Sequence, residues 1–111
     1  MVNENEKLLR LIKSFNKDMA ILLKKLKKEM NYDTYMLEVL QKERGGFEVA
    51  KRAVIYKKED VNRLSKLSQK NRLDLAFESL ILDEKYDDLF TEEEKKICRE
   101  RLDKYYQKQN L

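Results

Sequence analysis

The chain has 111 residues and a net charge of +4, with 41% apolar and 41% charged side chains, no proline, no histidine and two adjacent glycines. This length predicts one domain over residues 1–111, and so few turn residues exclude a fold built on β-hairpins. The sequence has no run of about 18 apolar residues, so we expect no membrane-spanning helix. We therefore predict an all-α, compact bundle of five or six helices.

The first predicted helix is long and occupies the N-terminal quarter of the chain. Apolar residues recur along it at alternating spacings of four and three, which is typical of one helix face. They are Leu8, Ile12, Phe15, Met19, Leu22, Leu26 and Met30. Asn3 or Asn5 can cap its start. The stripe is either part of the core or the seam of a homodimer, and we favour the core because the shorter helices need cover.

Three shorter helices are predicted next. Asp33 or Thr34 can cap the first of them, which carries Met36, Val39 and Leu40. The pair Gly45-Gly46 ends this helix, in the place of a left-handed C-cap. The second has Phe47, Ala50, Ala53 and Val54 on one side and basic residues on the other. The range 59–67 forms the third, built on Val61, Leu64 and Leu67.

Two capping boxes predict the starts of the last two helices. In the first, the Asn71 side chain closes the opening turn and Asp74 returns to it. In the second, Thr91 and Glu94 play these roles. The final helix carries Cys98, which we interpret as a buried core residue. One cysteine and an acidic N-terminus without a signal-peptide pattern favour a cytoplasmic protein.

The sequence lacks the residues that most catalytic sites need. Without histidine, the commonest general base and the Ser-His and Cys-His pairs are excluded, and one cysteine cannot build a thiolate cluster. Asp74 and Glu78 lie four apart like paired acids, yet capping by Asp74 and an ion pair of Glu78 with an arginine explain them more simply. The candidate arginines are Arg72, Arg99 and Arg101. We expect no enzyme activity, no cofactor and no metal.

Charge is segregated along the chain. Residues 74–94 hold one basic and nine acidic side chains, whereas the segments on either side are basic. The candidate basic surface comprises Lys24, Lys25, Lys27, Lys28, Lys51, Arg52, Lys57 and Lys58. The candidate acidic surface comprises Asp83, Glu84, Asp87, Asp88, Glu92 and Glu93. The first can contact phosphates, and the second can imitate a row of phosphates, but ordinary solvated surfaces are the simpler explanation of both.

Several short motifs resemble a family of small bacterial proteins of unknown function. They are Gly45-Gly46, Ala50-Lys51-Arg52, Arg72-Leu73-Asp74-Leu75 with Glu78, Leu89-Phe90-Thr91 with Glu93-Glu94, and Arg101-Leu102 with Tyr105. The resemblance covers nearly the whole chain, and the segment 62–69 departs from it because it lacks an aromatic-rich stretch. The family supplies no known reaction. The resemblance therefore implies a fold, for which Gly45, Gly46, Arg72, Asp74, Glu78, Thr91 and Arg101 are the signature residues.

These features predict a non-catalytic binding module of bacterial, phage or mobile-element origin. We expect a protein partner, with the chain acting as an inhibitor or accessory factor of a nucleic-acid-handling, defence-type enzyme. Small size and segregated charge are the observations behind this hypothesis. The alternative is direct nucleic-acid binding through the lysine-rich faces.

Overall fold

The computed structural model describes residues 4–109, and over this range it contains helices and no strand. The α-helices are α1 (Glu4–Met30), α2 (Tyr35–Arg44), α3 (Gly46–Val49), α4 (Val61–Gln69), α5 (Phe77–Ile81) and α6 (Glu92–Gln109). A π-helix (Ala50–Ile55) continues α3, and 3-10 helices cover Leu73–Leu75 and Glu84–Leu89. The predicted all-α class and the long N-terminal helix are confirmed.

The apolar stripe of α1 forms one wall of the core. Phe15, Met19, Leu22 and Leu26 are buried, whereas Leu8 remains 36% exposed. The Phe15 ring packs edge-on against Tyr86 and Phe90, with ring centroids 5.0 and 5.4 Å apart. These geometries are favourable for aromatic pairs. The central part of the stripe is therefore used within the monomer. Asn3, one of the two proposed caps, lies outside the described residues.

The two adjacent glycines have different physical roles. Gly45 ends α2 with φ 86° and ψ 154°, so the predicted positive φ is present, but the left-handed helical conformation is not. Gly46 begins α3 against α1, where an added Cβ would stand 2.7 Å from the Met19 Cβ. Glycine at 45 permits the backbone conformation, and glycine at 46 permits the close approach of two helices.

The π-helix follows from a contact that the sequence does not reveal. Its defining bond runs from the Tyr56 N–H to the Lys51 carbonyl at 3.3 Å, five residues earlier. The Arg101 side chain then donates to the carbonyls of Ile55 and Lys57, at 3.2 and 2.8 Å. These bonds satisfy carbonyls at the end of the helix and fix this segment onto α6.

The capping box predicted at Asn71 is wrong. Asn71 adopts φ 56° at the end of α4, where the next N–H, of Arg72, donates to the Leu67 carbonyl at 2.7 Å. Asn71 is thus a C-terminal left-handed residue, a position that asparagine tolerates. Ala76, in an extended conformation with ψ 143°, divides the predicted helix into the 3-10 helix Leu73–Leu75 and α5.

The capping box at the start of α6 is confirmed. The Glu94 N–H donates to the Thr91 Oγ1 at 3.1 Å, and the Thr91 N–H donates to the Glu94 Oε1 at 2.9 Å. Each side chain satisfies a backbone donor that the first helical turn leaves unpaired.

Candidate functional site

The predicted basic surface divides into two parts with different surroundings. Lys24, Lys25, Lys27 and Lys28 are exposed on α1 and form no ion pair with another described residue. Lys51, in contrast, places its Nζ 2.6 Å from the Glu94 Oε1, beside the rings of Phe47 and Phe90. Arg52 pairs with Glu48 at 3.0 Å, and Lys57 and Lys58 are exposed. The lysines of α1 are therefore the more available part.

The row of cations along α1 is longer than the group of four lysines predicted from the sequence. Its members are Arg10, Lys13, Lys17, Lys24 and Lys28, and we call them the cation row. Spacings of three, four, seven and four place them on one helix face, opposite the buried stripe, over about 27 Å at 1.5 Å per residue. All are exposed, and none forms an ion pair within the described part of the chain. The periodicity alone contained this signal.

A groove between α1 and α2 borders the cation row. It has a volume of about 410 Å³ and is lined by Ala20, Leu23, Lys24, Glu38, Gln41 and Lys42. Helix α2 has no buried residue, and its first turn leaves Tyr35 and Met36 68% and 67% exposed. Tyr35 precedes Glu38 by three residues, so it lies on the ridge that borders the groove. Apolar and cationic groups thus share one face.

Three of the six residues of the predicted acidic surface pair with lysines. Lys95 places its Nζ 3.2 Å from Asp87 and 2.9 Å from Glu92, and Lys7 lies 3.6 Å from Asp88. Asp83 accepts a hydrogen bond from the Lys85 N–H at 3.0 Å. Glu84 and Glu93 are exposed, and no ion pair joins them to a described residue. Such interleaved lysines weaken the resemblance of this surface to a row of phosphates.

Glu78 lies at the centre of a buried ionic cluster. Its carboxylate is fully buried and accepts hydrogen bonds from the Arg63 Nη2 at 3.1 and 3.3 Å and from the Arg101 Nη1 at 3.4 Å. The predicted pair with Arg101 is confirmed. Arg63, which sequence reasoning missed, stacks on the Phe77 ring with 4.4 Å between the guanidinium carbon and the ring centroid. The cluster joins α4, α5 and α6.

Asp74 and Glu78 do not form a catalytic pair. Asp74 is exposed, and the Arg72 Nε donates to it at 3.1 Å, while a second bond of 3.0 Å joins Arg72 to Glu29. Arg72 therefore links the 3-10 helix to α1 and is not a partner of Glu78. The two carboxylates lie in separate environments, one solvated and one buried with two guanidinium groups.

The thiol of Cys98 lies in surroundings that keep it unreactive. Cys98 is fully buried, and burial raises the pKa of its thiol to about 12, so the nucleophilic thiolate is not populated at neutral pH. Within the described residues, no group of three or more cysteine and carboxylate side chains has a geometry that could hold a metal ion. No helix of residues 4–109 is long and apolar enough to cross a membrane.

Comparison of the chain with protein-family models, with curated proteins and with solved structures finds no match. The resemblance to a family of small bacterial proteins therefore stays a prediction, and function rests on the surfaces described above.

Proposed function

We propose that this protein is a non-catalytic binding module that acts through protein–protein contacts. The observation that carries the proposal is the position of the cation row beside the groove between α1 and α2. A row of solvated cations attracts an acidic partner and accelerates its approach. The groove and the exposed side chain of Tyr35 provide the apolar contacts from which an interface gains most of its affinity.

The partner that fits this face is an acidic protein surface with apolar side chains at its centre. The cation row supplies charge complementarity over about 27 Å, and Lys42 extends it across the groove. We propose that the partner belongs to a nucleic-acid-handling enzyme of the bacterial, phage or mobile-element setting, for which this chain serves as an inhibitor or accessory factor. An acidic surface of this kind is not attracted to DNA, so the chain would act beside the nucleic-acid channel.

Co-purification from cells of the source organism tests the proposal with two disruptive variants. One carries Lys17→Glu and Lys24→Glu in the cation row, and the other carries Tyr35→Ser and Met36→Ser in the first turn of α2. Both are expected to lose a protein that the wild type recovers, because each removes one component of the same interface. All four positions are exposed, so the fold should be retained, which circular dichroism would verify.

Matched controls place the same chemical changes elsewhere. Lys66→Glu with Lys96→Glu reverses two exposed charges on α4 and α6, and Tyr106→Ser removes an apolar side chain that is 43% exposed on α6. These variants should retain the partner. Equal retention, or equal loss, in the disruptive and control variants would contradict the proposed surface.

Direct nucleic-acid binding is the second candidate, and the straight cation row is the observation that favours it. In that case a gel-shift titration would show affinity that falls steeply with salt, since each neutralised phosphate releases a counterion. Reversal of Lys17 and Lys24 would weaken binding, whereas the Tyr35→Ser, Met36→Ser variant would bind normally. The groove variant thus separates the two functions.

A further inference from the structure

A second site, remote in sequence from the cation row, lies beside the buried ionic cluster. It is a cavity of about 120 Å³ where the segment before α4 meets α5 and α6. Its polar lining comes from Tyr32, Lys58, Asp60, Arg63, Glu78 and Arg101. Three of these groups are cationic and two are carboxylates, which leaves an excess of one positive charge around a small polar cavity.

The carboxylate oxygens at this cavity already have donors. Glu78 receives the guanidinium bonds described above. Asp60 accepts the Arg63 N–H with its Oδ1 at 3.0 Å and the Tyr32 hydroxyl with its Oδ2 at 3.1 Å. Both carboxylates are therefore engaged within the protein, and the cavity offers few acceptors to an incoming ligand.

Some hydrogen-bond donors at this cavity, in contrast, have no acceptor among the described residues. Arg63 is 4% exposed, and its Nη1 is buried without a hydrogen-bond partner in the described part of the chain. An unsatisfied buried N–H of this kind costs free energy that an added acceptor would recover. Lys58, at the edge of the same cavity, is exposed and forms no ion pair with a described residue. The Arg63 Nη1 therefore lacks an acceptor, and the Lys58 ammonium lacks a carboxylate partner, among the described residues.

We propose that this cavity binds a small oxyanion, a carboxylate or a phosphate group, between Lys58 and Arg63. The Phe77 ring and the Asp60 and Glu78 carboxylates hold the Arg63 guanidinium in place, so little side-chain entropy is lost on binding. Hydrogen bonds from ionised donors to an anion are the strong ones. The volume of about 120 Å³ gives room for one such group.

Titration of the protein with sodium phosphate and with sodium acetate, against sodium chloride at equal ionic strength, tests this site. The readout is the NMR resonance of the Arg63 Nε–H group, which needs no change at this buried position. Phosphate or acetate should shift the resonance along a saturating curve, and chloride should not. Saturation by acetate alone identifies a carboxylate site, and saturation by phosphate alone identifies a phosphate site.

A pair of neighbouring lysines provides the matched control. Lys58→Gln removes the ammonium at the cavity and should weaken the anion affinity by about five-fold or more, as loss of one charged hydrogen bond predicts. Lys57→Gln makes the same change next to it, where the side chain does not line the cavity, and should leave the affinity unchanged. Equal effects of both substitutions, or a linear response to every salt, would overturn the proposal.

Discussion

Glu94 links the start of α6 to the π-helix through one carboxylate. It accepts hydrogen bonds from the Thr91 N–H at 2.9 Å, the Lys51 Nζ at 2.6 Å and the Tyr56 hydroxyl at 2.7 Å. Burial alone would raise its pKa, but these donors stabilise the ionised form and lower the pKa below its ordinary value of 4.5. The same contact raises the pKa of the Tyr56 hydroxyl, which donates to the carboxylate.

Substitution Glu94→Gln should destabilise the protein at neutral pH and remove part of its acid sensitivity. The loss at pH 7 is expected to be roughly 2 kcal/mol, the scale of hydrogen bonds to a charged group. A carboxyl with a lowered folded pKa stabilises the fold above about pH 4.5, and this contribution is lost as the pH falls through the folded pKa. The stability difference from wild type should therefore shrink as the pH falls below about 4.5 and through the lowered folded pKa.

Urea denaturation at several pH values measures this difference, and Glu93→Gln is the control. Glu93 is the exposed neighbour on the same turn of α6. Its substitution should leave both the stability and the pH profile close to those of the wild type. A difference between Glu94→Gln and wild type that stays constant down to pH 3 would show that Glu94 does not act through its charge.

The two arginine partners of Glu78 show what the sequence could and could not predict. The sequence left three candidate arginines for Glu78, and the packing of α5 against α6 selects Arg101 among them. Arg63 could not be found, since it stands beside the Leu64–Leu67 stripe of α4 and looks like an ordinary solvated residue. Only the packing of α4 against α5 and α6 brings it to Glu78.

At the level of elements, two threonines precede helices in similar sequence contexts and behave differently. Thr91 caps α6 with its hydroxyl. Thr34 stands before α2, is 2% exposed and makes no side-chain cap bond; its hydroxyl has no hydrogen-bond partner among the described residues. A sequence pattern cannot tell these cases apart, because both residues satisfy the N-cap preference.

The same substitution, threonine to valine, should therefore lower the stability at one position and not at the other. Thr91→Val is expected to lower the free energy of unfolding by about 1 kcal/mol, the usual value of an N-cap. Thr34→Val exchanges an unsatisfied buried hydroxyl for a methyl group of similar size and should not lower it. Urea melts of both variants provide the comparison, and an equal loss at the two sites would contradict this account of the caps.

Sequence patterns predicted the long elements better than the short ones. Helix α1 has a stripe sustained over about six turns, and α6 has a capping box, so periodicity and local hydrogen bonding agree. The π-helix Ala50–Ile55, in contrast, is held by hydrogen bonds from Arg101, which is distant in sequence. Local propensity contains no information about these contacts.

Across the whole molecule, stability should be unevenly distributed, with α2 at the lower end. Helix α2 has ten residues and none is buried, whereas α4 has nine and buries Arg63, Leu64 and Leu67. An element with few buried contacts opens at a smaller free-energy cost than one anchored in the core. The spacing of the basic residues on α1 was sufficient to predict the cation row. Nothing in the sequence predicts that the neighbouring helix α2 is loosely packed.

Native-state hydrogen exchange should show this difference directly. The amides of α2 are expected to exchange through local opening, at a free energy below that of α4 and of the buried stretch of α1, which should approach the global value. Helix α4 is the matched control because it has nearly the same length. If α2 forms the interface proposed above, addition of the partner should slow exchange in α2 and leave α4 unchanged. Equal protection of α2 and α4 in the free protein would show that α2 is held as firmly as the core. It would contradict the low local stability expected for α2.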